Sequence, residues 1–169
     1  MKNIGIVRKI DRLGRVVIPK EIRNTLRIID DDNLELLVDG ENIILKKYSY
    51  MKNFEDISKN LINSMNIKDE TVVLYDSKSI IYSIGKYKNI SNLSNELLEY
   101  MNTYEPVLGK GKIKINDELT LDITYYIKPI LSNGIVIGVL LLFSLTNLNE
   151  KDINIINYIG DFLGGYIYS

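Results

Sequence analysis

The first 47 residues set out more secondary structure than so short a stretch can bury alone. Residues 4–10 and 15–18 read as two strands about a turn at Leu13-Gly14, where glycine accepts positive φ. Pro19 suits a helix start, and residues 20–26 form about two turns with Ile22 and Leu26 four apart on one face. Asp30, Asp31, Asp32 and Asn33 make a loop. Residues 34–38 and 43–47 then flank Asp39-Gly40-Glu41-Asn42, a strong hairpin signal. The expected order is strand, strand, short helix, hairpin. Units this small need a disulfide, a metal or a second copy to become stable. The chain has no cysteine and no histidine. Oligomerisation is what remains, so an obligate homodimer is expected of this unit.

Charge divides the chain in the same place. All five arginines, Arg8, Arg12, Arg15, Arg23 and Arg27, lie in the first 27 residues. That segment carries eight basic side chains against two acidic ones, whereas residues 28–52 carry three against six and residues 53–169 ten against fourteen. Only the first segment has the sign to attract nucleic acid. Arginine supplies a planar fork of donors that matches phosphate oxygens and guanine edges. By strand alternation Arg8 shares a face with Ile6, and Lys9 with Val7. A solvated charged surface is the plainer reading; the confinement of arginine to this segment favours nucleic acid.

Residues 49–53 read as a short linker. Residues 54–169 read as helix, strands, helix, strands, helix. Phe54, Ile57, Leu61, Ile62 and Met65 recur at helical spacing. Strands are expected at 71–75 and 80–84, turning at Asp76-Ser77-Lys78. A Ser94-capped helix is expected at 95–104, with strands at 114–116, 121–130 and 135–143. Ser132-Asn133-Gly134 is a hairpin turn, and Asn149 caps a last helix carrying Ile153, Ile156, Ile159, Phe162 and Leu163. Gly164-Gly165 weakens its end. Hairpins with flanking helices indicate an α+β sandwich. The longest apolar run, 135–143, is too short to span a membrane, and residues 1–9 hold charges with no apolar core, so a cytoplasmic protein without membrane contact is expected.

Catalysis has little support, and no enzyme is expected. The pairs Glu55-Asp56, Asp69-Glu70 and Asp117-Glu118 suit caps and turns, and no glycine-rich phosphate motif is present. Without histidine or cysteine, no cofactor or metal is expected. A small-molecule pocket would lie between the sheet and residues 94–106, with Tyr82, Tyr125 and Tyr126 as lining candidates.

The run GIVRKID-x-LGRVVIP-x-EIR-x-TL, followed by LELLVDGENIILKKY, closely resembles the swapped-hairpin DNA-binding domain of the AbrB transition-state regulators. The resemblance implies a mixed fold class: a β-rich swapped-hairpin dimeric barrel over 1–48, then an α+β domain that resembles GAF domains over 54–169. It implies double-stranded DNA as partner, with Arg8, Arg15 and Arg23 as binding residues and Lys9 beside them. Many members carry a further arginine directly after the third; here Asn24 stands there. Arg12 occupies a position that is often acidic and is an auxiliary candidate. The whole architecture resembles sporulation regulators that join such a head to a GAF domain, act on forespore-stage transcription and form tetramers through GAF helices, with room for an unidentified small-molecule ligand. The alternative is an antitoxin that binds its own operator and neutralises a toxin. The long, apolar-patterned C-terminal part argues against it.

Overall fold

A computed structural model describes residues 5–26, 28–30, 32–76, 78–100 and 103–166. The chain divides into two compact units, Met1–Tyr48 and Ser49–Ser169.

In the first unit helix α1 spans Lys20–Thr25, and Pro19, at its N-cap, lends its carbonyl to the Arg23 N–H (3.0 Å). Strands β1 (Leu34–Asp39) and β2 (Asn42–Lys47) pair antiparallel from Leu34↔Lys47 to Asp39↔Asn42. Gly40 opens their two-residue turn at φ 59°, a conformation that a side chain resists. The strands expected at 4–10 and 15–18 are not formed over their described residues. Over the described residues no ladder forms there; the one backbone–backbone bond between the two sides of the turn runs from Asp11 N–H to the Arg15 carbonyl (3.0 Å). Ile4, Arg27 and Asp31 lie outside the described residues.

Burial in this unit matches the size argument. Among its described residues only Pro19 is buried. Val7 is 90% exposed, and Ile10, Val17, Val38 and Ile43 are also open to solvent.

The second unit begins with a 3-10 turn (Lys52–Phe54) and α2 (Glu55–Asn63). It continues with β3 (Thr71–Asp76), β4 (Ile80–Gly85), α3 (Asn95–Glu99), β5 (Val107–Lys114), β6 (Thr120–Ser132), β7 (Ile135–Ser144) and α4 (Glu150–Tyr166). The five strands form one antiparallel sheet in the order β4-β3-β7-β6-β5. Alternation sends Val72, Leu74, Leu140 and Leu142 to one face, where α2 and α4 cover them with Ile62, Ile156, Ile159 and Leu163. Val73, Val139, Leu141 and Phe143 face the other way, into a second core closed by Ile90, Leu93 and Leu97. The centres of β3 and β7 are apolar because both of their faces are buried. This is the α+β order expected of the region.

Local chemistry sets the details. Asn133 (φ 49°) and Gly134 (φ 77°) turn the β6–β7 hairpin. Ser94 caps α3, accepting the Leu97 N–H at 3.2 Å. The helix expected to reach 104 has its C-cap at Tyr100, and residues 101 and 102 are outside the described set, as is Ser77 of the expected β3–β4 turn. Strand β5 runs ahead of the strand expected at 114–116 and shares only Lys114 with it; residues 115 and 116 are not in a strand. Gly109-Lys110-Gly111-Lys112 hides β5, since its sequence lacks the β-branched residues that mark strands. Helix α4 runs through Gly164-Gly165 to Tyr166, and Gly164 lets it settle on the Leu131 carbonyl of β6.

Candidate nucleic-acid interface

The expected DNA-facing residues all lie in the first unit. Arg8, Lys9, Arg12 and Arg15 fall within one exposed stretch; Arg23 and Asn24 sit on α1, Arg23 half-buried and Asn24 exposed. The Arg8 guanidinium makes only a long contact, 3.4 Å, to the Val7 carbonyl.

Arg15 is held differently. The Asp11 carboxylate accepts the Leu13 N–H at 2.9 Å and the Arg15 N–H at 2.8 Å through Oδ1. Its Oδ2 accepts from Arg15 Nε at 2.8 Å. Gly14 closes the loop at φ 78°, its N–H on the Asp11 carbonyl at 3.0 Å. The Arg15 backbone N–H, then its guanidinium, hold the Asp11 carboxyl below its ordinary range. Arg23 is tied through Nη1 to Asp30 at 3.1 Å, while its Nε is buried without a partner. The sequence placed Asp30 only in a loop and gave Asp11 no role, so neither was expected as a partner of an arginine. The signal for Asp11 was present: an aspartate three residues before glycine invites a side-chain-closed turn.

The acidic loop after α1 is used within the head. Asp32 pairs with Lys47 at 3.0 Å and accepts the Ile29 N–H at 2.8 Å. Among the described residues no group of three or more acidic side chains is placed to hold a metal ion, and no helix is long and apolar enough to cross a membrane.

In the second unit the three candidate tyrosines do not share a pocket. Tyr125 lies in the α3-side core, its hydroxyl 3.4 Å from that of Tyr100, whereas Tyr126 reaches Asn157 and Tyr82 reaches Asn63, on the α2/α4 side. Consecutive strand residues point to opposite faces, so Tyr125 and Tyr126 have no common cavity. An open cavity of about 320 Å³ lies instead between the 86–90 and 116–119 segments, with Lys86, Tyr87, Asn116 and Glu118 on its walls.

The family model described as antidote-toxin recognition MazE, bacterial antitoxin, matches residues 7–53. Stage V sporulation protein T of Bacillus subtilis (strain 168) is 38% identical over 152 residues, covering 85% of each chain. The transition state regulatory protein AbrB of the same organism is 41% identical over 97 residues, covering 57% of this chain and 94% of its own. The type II free methionine-R-sulfoxide reductase of Thermoplasma acidophilum, at 12% identity, superposes with a TM-score of 0.50 over 70% of this chain and 92% of its own; that likeness concerns the fold alone. An arginine-bearing AbrB-type head joined to an α+β body defines the class, the transition-state type of transcription regulator. Within it, the chain belongs to the family of stage V sporulation protein T. The antitoxin match stops at residue 53, while that relative extends through both units, so the regulator reading displaces the antitoxin one.

Proposed function

We propose that this chain is a non-enzymatic, DNA-binding regulator of sporulation-stage transcription whose head grips duplex DNA through Arg8, Lys9, Arg12, Arg15, Arg23 and Asn24. The observation that carries the reading is the confinement of every arginine to the small head, with Arg8, Arg12 and Arg15 exposed in one short stretch. Phosphate contacts set affinity and register, and base contacts or DNA deformability set preference.

The head acts as a homodimer. Its exposed Val7, Ile10, Val17, Val38 and Ile43 are the apolar surface that a second head covers, which supports an interleaved barrel over 1–48. The body, 54–169 beyond a 49–53 connection, joins dimers into a tetramer. Tyr158, Phe162 and Tyr166 recur every four residues on the outside of α4, and Phe54 meets Tyr166 edge-on at 5.6 Å. Two heads on one assembly raise avidity where operator spacing admits both.

The test is binding of the full-length chain to duplex DNA across salt, with sedimentation equilibrium for assembly. Arg8→Ala and Arg23→Ala each lose affinity and flatten the log–log salt slope by ~1. Unchanged affinity and slope in both would remove this face from consideration.

A second reading concerns the body as a sensor. The cavity beside Lys86 and Glu118 supports it, provided that a ligand prefers one arrangement of the assembly. Thermal-shift screening with nucleotides and amino acids tests it; no shift with any of them favours a passive assembly module.

A further inference from the structure

The cations of the head differ in how they are held. Among the described residues no tether is seen for Lys9 and Arg12, and the one contact of Arg8 there is a long one to its neighbour's carbonyl. Arg15 is fixed at both ends: its N–H on Asp11 Oδ1 at 2.8 Å, and its Nε on Oδ2 at 2.8 Å. The loop beneath is closed by the Leu13 N–H on the same carboxylate and by the Gly14 N–H on the Asp11 carbonyl.

A guanidinium has a side edge through Nε and an end through its two Nη atoms. Asp11 occupies the side edge, which aims the Nη end outward from a side chain that is 72% exposed. That end carries two parallel donors, the arrangement that matches guanine O6 and N7 in the major groove. Arg23 lacks such a pair, because Asp30 takes Nη1 and Nε is buried. An untethered cation follows any phosphate, whereas a fixed fork rewards acceptors at one place.

We infer that Arg15 is the specificity-determining side chain of this head and that Asp11 is its positioning residue, while Arg8, Lys9 and Arg12 supply affinity through phosphates. The inference rests on the reading of this face as DNA-binding.

The test uses the full-length chain. Wild-type protein first enriches duplexes from a random-sequence pool. Dissociation constants are then measured for an enriched duplex and for a scrambled one of equal length, over a salt series. Asp11→Asn keeps an acceptor for the loop N–H groups but loses the charge that holds Nε. It is expected to weaken binding of the enriched duplex roughly tenfold, leaving the scrambled duplex bound as well or better, since an anion has left a basic face. Arg15→Lys, which leaves Asp11 and the charge in place, should lose the preference with little change of salt slope. Arg8→Ala should weaken both duplexes alike. Equal losses on both duplexes for Asp11→Asn and Arg15→Lys, or no change in either, overturn the inference while DNA binding stands. Should the wild-type chain enrich nothing and bind no duplex, the DNA reading falls and the inference with it. Thermal melting of each variant separates loss of fold from loss of preference.

Discussion

The Ser49 hydroxyl donates to Asp76 Oδ2, so the first residue of the second unit is fastened to the end of β3. Asp76 is 1% exposed, and its Oδ1 accepts the N–H groups of Lys78 (2.7 Å) and Ser79 (2.8 Å). Two residues on, Met51 is fully buried in the core under α2 and α4. The chain therefore enters the body already ordered.

Ser49→Ala takes a donor from a buried carboxylate, which costs more than the bond itself was worth. The second unit should lose on the order of 2 kcal/mol. Ser49→Thr, which retains the hydroxyl, should lose less. Chemical denaturation of the two variants checks the difference.

Three glycines of α4 should respond to alanine in three ways. At Gly164 a Cβ would lie 2.1 Å from the Leu131 carbonyl oxygen, a backbone atom that cannot retreat, so the helix must lift from β6. At Gly160 the obstacle is the Lys128 stem at 2.8 Å, whose ammonium pairs with Asp161 at 2.7 Å; a flexible chain can shift. At Gly165 nothing lies within 4 Å. Gly165→Ala should stabilise by up to ~1 kcal/mol through helix propensity. Gly160→Ala should be near neutral, and Gly164→Ala should cost ~2 kcal/mol or more. Thermal melting ranks them.

What the sequence made legible follows from where each residue's determinants lie. Strands β3 and β7 read clearly because nearly all of their residues are buried and their central side chains, Val72, Val73 and Leu74 in one and residues 139–143 in the other, are apolar. The β6–β7 turn read clearly because Asn133-Gly134 is local chemistry. Strand β5 was largely missed, since Gly109 is there for a tertiary reason: the Tyr125 ring fills the place of its Cβ at 2.3 Å. The apolar residues of α4 divide between two faces: Ile156, Ile159 and Leu163 cover the sheet while Phe162 points away. Phe162 and Leu163 are adjacent, and one helical step rotates a side chain by about 100°. At the head, arginine identity was legible but the tethers were not. Asp11 and Arg15 are four apart, yet they meet across a glycine turn and not along a helix.

Alkali should unfold the body early. The Tyr100 hydroxyl, then burial, push the Tyr125 phenol up to about 12 from 10.0. The unfolded chain releases this proton near pH 10, while the folded chain keeps it until about pH 12. This stabilisation is whole below pH 10 and is lost as pH rises through the folded value. The loss is on the order of 2 kcal/mol. Tyr125→Phe abolishes the titration, so its stability should fall less steeply between pH 10 and pH 12 than that of the wild-type chain. Denaturant midpoints measured across that range are the check.

Asn24 offers the complementary test of the head. It is exposed on α1 directly after Arg23, where a positive charge would extend the basic face. Each added phosphate contact releases about one more condensed counterion. Asn24→Arg should therefore steepen the log–log salt slope by ~1 and raise affinity for any duplex at low salt. Both gains should be the same for an enriched and a scrambled sequence, because a surface cation without a tether reads phosphate and not base. Since asparagine and arginine differ by only a few tenths of a kcal/mol in helix propensity, roughly in arginine's favour, α1 should tolerate the change. A variant with unaltered slope would place residue 24 off the phosphate path and put the exposed face of α1 away from DNA.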